Sequence, residues 1–300
     1  MRVRTYTEPE LLLRNTQAEL ESNEAANSLM LGICGQLIHH PERFDSDPCL
    51  KTVEDERGLM LAAMMTPPHK LVVYAHRGNL DHNASVLADD LLGDGWRLPG
   101  VLGPSKAARA VAARWAEAAG KGFDLERRQS VYELREIPRQ VPGPGKLRQA
   151  TEQDTELVAR WRCGFHAEVF GLAEREGELR AATDRLQAGD IYLYEVHRPV
   201  SIAMKTRPTR NGISIGLVYT PPELRGRGYA TACVGSLSQL LLETGWRYCA
   251  LFVDEANQAA KRIYQKIGYR PNCEYDEYVF VENCERKDPC PCPPNHSYPT

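Results

Sequence analysis

The most informative stretch of this chain reads Val218-Tyr219-Thr220-Pro221-Pro222-Glu223-Leu224-Arg225-Gly226-Arg227-Gly228-Tyr229-Ala230. An apolar strand over residues 213–219 ends here, two prolines turn the chain, and two glycines stand where a helix over residues 228–243 begins. Glycine lets the backbone approach a ligand closely, and the first amides of a helix have no partner within it. Together with the helix dipole, these amides predict a site for a phosphate or pyrophosphate, and Arg225 and Arg227 add positive charge.

Two common phosphate-binding loops do not fit this stretch. No Gly-Lys-Ser/Thr follows, which excludes a Walker loop, and the glycine spacing differs from that of the dinucleotide fingerprint. A second segment adds to the signal: Asn257-Gln258-Ala259-Ala260-Lys261-Arg262-Ile263-Tyr264-Gln265-Lys266-Ile267-Gly268-Tyr269. It predicts a helix over residues 257–267 that ends at Gly268, as expected of a glycine C-cap.

Together the two segments resemble the GNAT superfamily of N-acetyltransferases. The Arg-x-x-Gly-x-Ala pattern of residues 225–230 is similar to the acyl-CoA motif of that superfamily. Residues 257–269 are similar to its second motif, an asparagine with a tyrosine seven residues later and then Gly-Tyr. The resemblance covers residues 146–281. It implies an α/β (α+β) fold, with a mixed, mostly antiparallel sheet flanked by helices.

The resemblance implies a role for each matching residue. Backbone amides of residues 225–230 would hold the pyrophosphate of coenzyme A, with Thr231 adding its amide or hydroxyl. The strand edge at residues 217–219 would pair with the pantetheine arm, and an amide in the gap beside it would polarise the thioester carbonyl. Tyr264 would be the catalytic residue that protonates the departing thiolate, because a phenol suits a thiol leaving group. The residues implied to bind acetyl-CoA are Leu217, Val218, Tyr219, Arg225, Gly226, Arg227, Gly228, Tyr229, Ala230, Thr231 and Asn257.

Each of these residues also has a structural interpretation. Tyr264 lies in an amphipathic helix and could be a core residue. Asn257 would either contact the pantetheine or act as the N-cap of its helix. Arg225 and Arg227 could be solvated surface charges.

The general base is not evident from the sequence. Many members of the superfamily carry a glutamate on the strand that leads to the phosphate loop, but residues 213–219 contain no acid. His166, Glu168 and Glu255 are candidates, although each also fits a surface or structural role. A water relay is a further alternative.

The chain divides at a Pro/Gly-rich segment. Residues 138–145 predict a linker between a domain over residues 1–137 and a catalytic domain over residues 146–282. The first domain repeats the strand-helix-strand-helix-strand order of the second, which predicts the same fold twice in tandem. Its loop at residues 76–84 has one glycine and no Arg-x-x-Gly-x-Ala, so we expect a degenerate domain that binds no coenzyme A.

Composition limits the remaining possibilities. The 300 residues carry a net charge of −3 and are 42% hydrophobic and 26% charged, which argues against disorder and coiled coil. A near-neutral balance does not favour nucleic-acid binding, and no apolar run is long enough to span a membrane. Nine scattered cysteines, among them Cys34, Cys163, Cys233 and Cys249, are typical of reduced thiols, so we expect a cytoplasmic protein.

The last 18 residues, 283–300, predict an irregular Cys- and Pro-rich tail. Its Cys284, Cys290, Cys292 and His296 are possible zinc ligands, but their spacing fits no known pattern, so no metal is expected.

The sequence therefore predicts an N-acetyltransferase that transfers the acetyl group of acetyl-CoA to a primary amine by direct attack in a ternary complex. The acceptor would be a small molecule or a peptide. Two alternatives remain: an N-acyltransferase that uses a longer acyl-CoA, and a non-catalytic acyl-CoA-binding sensor or interaction protein. No pattern indicates which amine is used or whether the chain forms oligomers.

Overall fold

Strands and helices follow the same order twice in the computed structural model, which describes residues 1–138, 143–171 and 174–282. The elements of the first half are β1 (Arg2–Thr5), α1 (Pro9–Glu21), α2 (Ser28–His39), β2 (Cys49–Asp55), β3 (Gly58–Met65), β4 (Leu71–Ala75), α3 (Leu80–Gly93), β5 (Gly100–Pro104), α4 (Ser105–Ala119) and β6 (Gly122–Leu134). Those of the second half are β7 (Lys146–Gln149), α5 (Thr155–Phe170), α6 (Arg175–Gln187), β8 (Ile191–Glu195), β9 (Pro199–Thr206), β10 (Gly212–Tyr219), α7 (Tyr229–Glu243), β11 (Tyr248–Asp254), α8 (Gln258–Ile267) and β12 (Arg270–Val281). The predicted tandem repeat is confirmed.

The twelve strands of the described residues belong to one sheet. Its order is β1-β2-β3-β4-β5-β12-β6-β11-β10-β9-β8-β7. Neighbours are antiparallel except for β4 beside β5 and β10 beside β11, which are parallel. The predicted mixed, mostly antiparallel sheet is therefore confirmed.

The two halves exchange their last strands. β6, from the first half, pairs with β11 from Leu134 opposite Cys249 to Gln129 opposite Asp254. In return β12, from the second half, pairs with β5, where Tyr275 lies opposite Pro104. β6 and β12 also pair with each other at the centre of the sheet. The sheet is therefore continuous across the predicted domain boundary.

Local sequence signals place several elements correctly. β8 and β9, two short runs rich in β-branched and aromatic residues, form a hairpin. Thr151 and Asp154 form a reciprocal capping box at a short 3-10 turn that leads into α5, and Gly268 ends α8 at φ +117°. Residues 139–142 of the predicted linker and the predicted tail lie outside the described residues.

Helices cover both faces of the sheet. One face carries α3, α4, α7 and α8. The other, called the second face below, carries α1 and α2 over the first half and α5 and α6 over the second. Between these two helix pairs a small cluster covers the central strands, and it includes Ala250, Phe252 and Tyr275.

The six cysteines in the described ranges are free thiols. Burial raises the pKa of four of them, Cys34, Cys49, Cys233 and Cys249, from 9.0 to about 12. Over the same ranges, no helix is long and apolar enough to cross a membrane.

Candidate active site

The site begins where β10 parts from β11. Among the described residues, the ladder between these strands joins only residues 212–214 to residues 248–250. Beyond it, β10 bulges against β9 between Gly216 and Tyr219, and Leu217 takes a left-handed φ of +50°. A non-glycine residue in this region is strained and needs support from its surroundings. The bulge turns residues 217–219 away from β11 and leaves a gap between the two strands.

The loop after β10 leads into the start of α7. Gly226 and Gly228 have φ values of +76° and +78°, which explains why both positions are glycine. A Cβ atom at either position would meet nothing within 4 Å, so the backbone lies open. Within the described ranges, no side chain caps α7, and the first hydrogen bond of its first turn runs from the amide of Ala232 to the carbonyl of Gly228. The helix therefore presents uncapped amides beside the gap.

Arg225 and Arg227, both predicted to bind the coenzyme, contact other groups of the protein. Nη2 of Arg225 lies 2.6 and 2.8 Å from the carboxylate oxygens of Glu168 on α5, and its Nε donates to the carbonyl of Thr220. The backbone amide of Arg225 donates to the carbonyl of Pro222 at 3.2 Å, so this amide, unlike those that follow it, is already used. Arg227 is exposed, with one long contact to the Glu223 carbonyl.

The residues of the second motif lie on α8 and at its start. Oδ1 of Asn257 accepts from the amide of Ala260 at 2.9 Å, so Asn257 is the N-cap of α8. Tyr264 is buried in the core between α7 and α8, and its ring meets that of Tyr269 edge-on at 6.0 Å. Burial raises the pKa of the Tyr264 phenol well above its ordinary value of 10.0. Its hydroxyl donates to none of the described residues, so it keeps its proton available.

Each of the three candidate bases contacts a polar or charged neighbour. Glu168 holds Arg225, and Nδ1 of His166 lies against Glu178, which joins α5 to α6. Glu255 accepts from Lys261 and from Ser130, each at 2.5 Å, and these bonds lower the pKa of the Glu255 carboxyl. The two glutamates are therefore occupied by cations, whereas the contact of His166 involves only one of its ring nitrogens.

The corresponding place in the first half is also open. A cavity of about 430 Å³ lies at the ends of β4 and β5, and its lining includes His76, Ser105 and Lys106. Arg77, which also lines this cavity, is paired with Asp55. Across the described ranges, no cluster of His, Cys, Asp and Glu could hold a metal ion.

Three residues near the site belong to no motif, and the sequence did not identify them as functional. A Cβ on Gly164 of α5 would lie 2.5 Å from the Tyr219 hydroxyl, so this glycine lets α5 approach β10. Arg207 and Ser214 lie on the second face beside the gap, and each has a buried polar atom without a partner in the described part of the chain. A lone loop arginine and a strand serine give no signal in a sequence.

The site lies in a segment, residues 195–281, that matches the model of the FR47-like protein family. The structure as a whole is similar to a GNAT-family acetyltransferase from Colwellia psychrerythraea, with a TM-score of 0.61 over 94% of this chain and 100% of that one, at 11% identity. The chain has the GNAT fold. A second GNAT structure, the GCN5-related N-acetyltransferase from Sphaerobacter thermophilus, gives a TM-score of 0.62 at 18% identity over 93% and 95% of the two chains.

The doubled GNAT architecture also has a counterpart. A tandem GNAT protein from the clavulanic acid biosynthesis pathway matches with a TM-score of 0.55 at 15% identity, over 94% of this chain and 98% of that one. No curated protein sequence matches the chain. The resemblance inferred from residues 225–230 and 257–269 is thus confirmed at the level of the GNAT fold.

Proposed function

We propose that this protein is an N-acetyltransferase that transfers the acetyl group of acetyl-CoA to a primary amine by direct attack in a ternary complex. The observation that carries the proposal is the uncapped start of α7, behind two left-handed glycines and beside the gap between β10 and β11. Amides in this arrangement favour a diphosphate, and a strand edge that has lost its neighbour can pair with an extended amide chain. Coenzyme A contains both features.

Backbone groups do most of the binding in this proposal. The amides from Gly226 to Thr231 hold the pyrophosphate, and the free edge of residues 217–219 pairs with the pantetheine arm. The amide of Arg225 is excluded because it is bonded to Pro222, so this residue contributes by positioning the loop. Asn257 orients α8, and its side-chain NH2 stays free for the pantetheine.

The reaction needs little covalent chemistry from the protein. The amine nitrogen forms a bond to the acetyl carbon, the carbon–sulfur bond breaks, and the sulfur receives a proton. Tyr264 supplies that proton, since its raised pKa keeps the phenol neutral. The amine proton leaves through water, because Glu168 and Glu255 are held in ion pairs and Nδ1 of His166 lies against Glu178. Tyr264 then regains its proton from solvent.

The ion pairs of Glu168 and Glu255 leave neither glutamate free as a general base, which favours one other function, a non-catalytic acyl-CoA sensor. Replacing Tyr264 distinguishes the two. Tyr264→Phe should lower kcat about 100-fold or more, in line with the loss of a general acid, and leave acetyl-CoA affinity within two-fold of wild type. Tyr192→Phe, a half-buried tyrosine on β8, is the matched control and should change neither value.

The measurement is release of free coenzyme A thiol with a panel of primary amines, beside a calorimetric titration with acetyl-CoA. A wild-type protein that binds acetyl-CoA yet acetylates no amine in the panel supports the sensor. Equal turnover by wild type and Tyr264→Phe would show that the Tyr264 phenol does not protonate the leaving thiolate.

A further inference from the structure

Arg207 is held in an unusual position at the end of β9. Its φ is +48°, a left-handed conformation that is strained for a residue with a side chain. A Cβ on Gly32 of α2 would lie 2.7 Å from the Cβ of Arg207, so α2 leaves room for this residue by carrying a glycine. The side chain then runs under α2 along the second face, and its guanidinium carbon lies 4.9 Å from the ring centre of Phe252.

The guanidinium has no ionic partner among the residues that the structure describes. Its Nε is buried and donates to none of them. Burial lowers the pKa of Arg207 to about 10, yet the group stays charged at neutral pH. A partly buried cation without a counter-ion is costly, and most such groups are paired. The arrangement therefore calls for an anion.

A second unsatisfied group lies beside it. Ser214 is fully buried, and its hydroxyl has no partner in the described ranges. Ser214 lies opposite Thr206 on β9 and opposite Ala250 on β11, so the strand register places its side chain on the second face, next to the residue that precedes Arg207. A guanidinium and a hydroxyl thus share one small region.

This region adjoins the gap. Ser214 and its partner Ala250 form the last pair of the ladder between β10 and β11. Phe252, which lies under the guanidinium, follows Ala250 by two residues on β11. The start of α7 lies on the opposite face, with α3, α4 and α8. A ligand on the second face would therefore meet the thioester from the side away from the coenzyme.

We propose that Arg207 and Ser214 bind the carboxylate of the acceptor, so that the acceptor is an amino acid. This inference rests on the proposed acetyl transfer. Arginine pairs with carboxylates through parallel N–H bonds, and the serine hydroxyl adds one donor. One guanidinium balances the single charge of a carboxylate. The pair acts as a specificity determinant, and the amine of the same molecule then lies at the gap.

The test compares each of the twenty L-amino acids with its α-carboxamide as acceptor, by release of coenzyme A thiol at saturating acetyl-CoA. We expect acetylation of at least one amino acid, with kcat/KM at least ten-fold lower for its amide. Arg207→Gln should raise KM for that amino acid at least ten-fold and leave KM for the amide unchanged. Arg210→Gln, an exposed arginine of the same loop, is the matched control.

Ser214→Ala provides a second variant whose folding is not in question, because it removes an unsatisfied buried hydroxyl. It should raise KM for the amino acid several-fold and leave the amide unaffected. Amides that react as well as amino acids, or an Arg207→Gln effect equal on both, would overturn the inference, as would a preference for the matching aminophosphonate. A protein that binds acetyl-CoA and acetylates only amines without a carboxylate refutes this inference alone, whereas a protein that binds no acetyl-CoA refutes the proposed function with it.

Discussion

Arg225 and Glu168 tie the loop before α7 to helix α5. Nη2 of Arg225 lies 2.6 and 2.8 Å from the two carboxylate oxygens, and about half of each side chain is exposed. The arginine of the coenzyme motif thus contacts the helix pair on the second face. Its position links the coenzyme loop to the element that borders the acceptor side.

If Arg225 acts as a tether, removing either partner should loosen the loop. We expect Glu168→Gln to weaken acetyl-CoA binding a few-fold, and Arg225→Gln to weaken it somewhat more because the bond to Thr220 is lost as well. The double variant should bind no more weakly than Arg225→Gln. The free energy of unfolding should fall by less than about 1 kcal/mol in each case, because the pair is exposed. Calorimetric titration and urea unfolding test this. A ten-fold loss in Arg225→Gln alone would mean that the guanidinium itself contacts the ligand.

Helix α5 approaches β10 closely at Gly164. Because a Cβ there would lie 2.5 Å from the Tyr219 hydroxyl, Gly164→Ala must displace the ring or the helix. We expect a loss of about 1 to 3 kcal/mol in the free energy of unfolding, and weaker acetyl-CoA binding. Gly177→Ala on α6, where the Cβ meets nothing within 4 Å, should instead stabilise by about 0.5 to 1 kcal/mol. Equal effects of the two substitutions would contradict the close contact.

Exchange of the last strands makes each half depend on the other. Residues 143–282 alone lack β6, which separates β11 from β12. We therefore expect this fragment, and residues 1–138 alone, to be unfolded or aggregated, and co-expression of the two to restore a folded complex. Circular dichroism and size-exclusion chromatography measure both. A monomeric, cooperatively unfolding fragment 143–282 would show that β6 is dispensable.

Sequence reasoning succeeded where local chemistry determines the structure. Gly226 and Gly228 predict the loop because only glycine adopts these φ values easily, and Gly268 predicts the end of α8 for the same reason. The exchange of the last strands could not be predicted, because the apolar pattern of β6 is the same whichever strands it pairs with. Arg207 could not be identified either, since the position of its side chain depends on Gly32 and Phe252, which are distant in sequence.

The buried thiols make stability depend on alkaline pH. In Cys34, Cys49, Cys233 and Cys249, burial raises the pKa from 9.0 to about 12. Between these values the unfolded chain loses thiol protons that the folded chain keeps, so the free energy of unfolding should fall as pH rises from about 9 toward 12. Each thiol contributes up to about 1.4 kcal/mol per pH unit.

Urea unfolding at pH 7.5, 9 and 10 measures this dependence, and Cys249→Ala serves as the control. The variant should lose less stability between pH 9 and pH 10 than wild type. An equally steep loss in both proteins would mean that this thiol is not protected by folding.

The central claim is that the start of α7 binds acetyl-CoA, and calorimetric titration of the full chain tests it most directly. Gly228→Asp places a carboxylate at the uncapped amides, and Gly95→Asp is its control, because both glycines have nearly the same φ, +78° and +77°, and open space at the Cβ position. We predict one acetyl-CoA per chain, binding at least ten-fold weaker in Gly228→Asp and unchanged in Gly95→Asp. No binding to wild type, two molecules per chain, or undiminished binding in Gly228→Asp would contradict it.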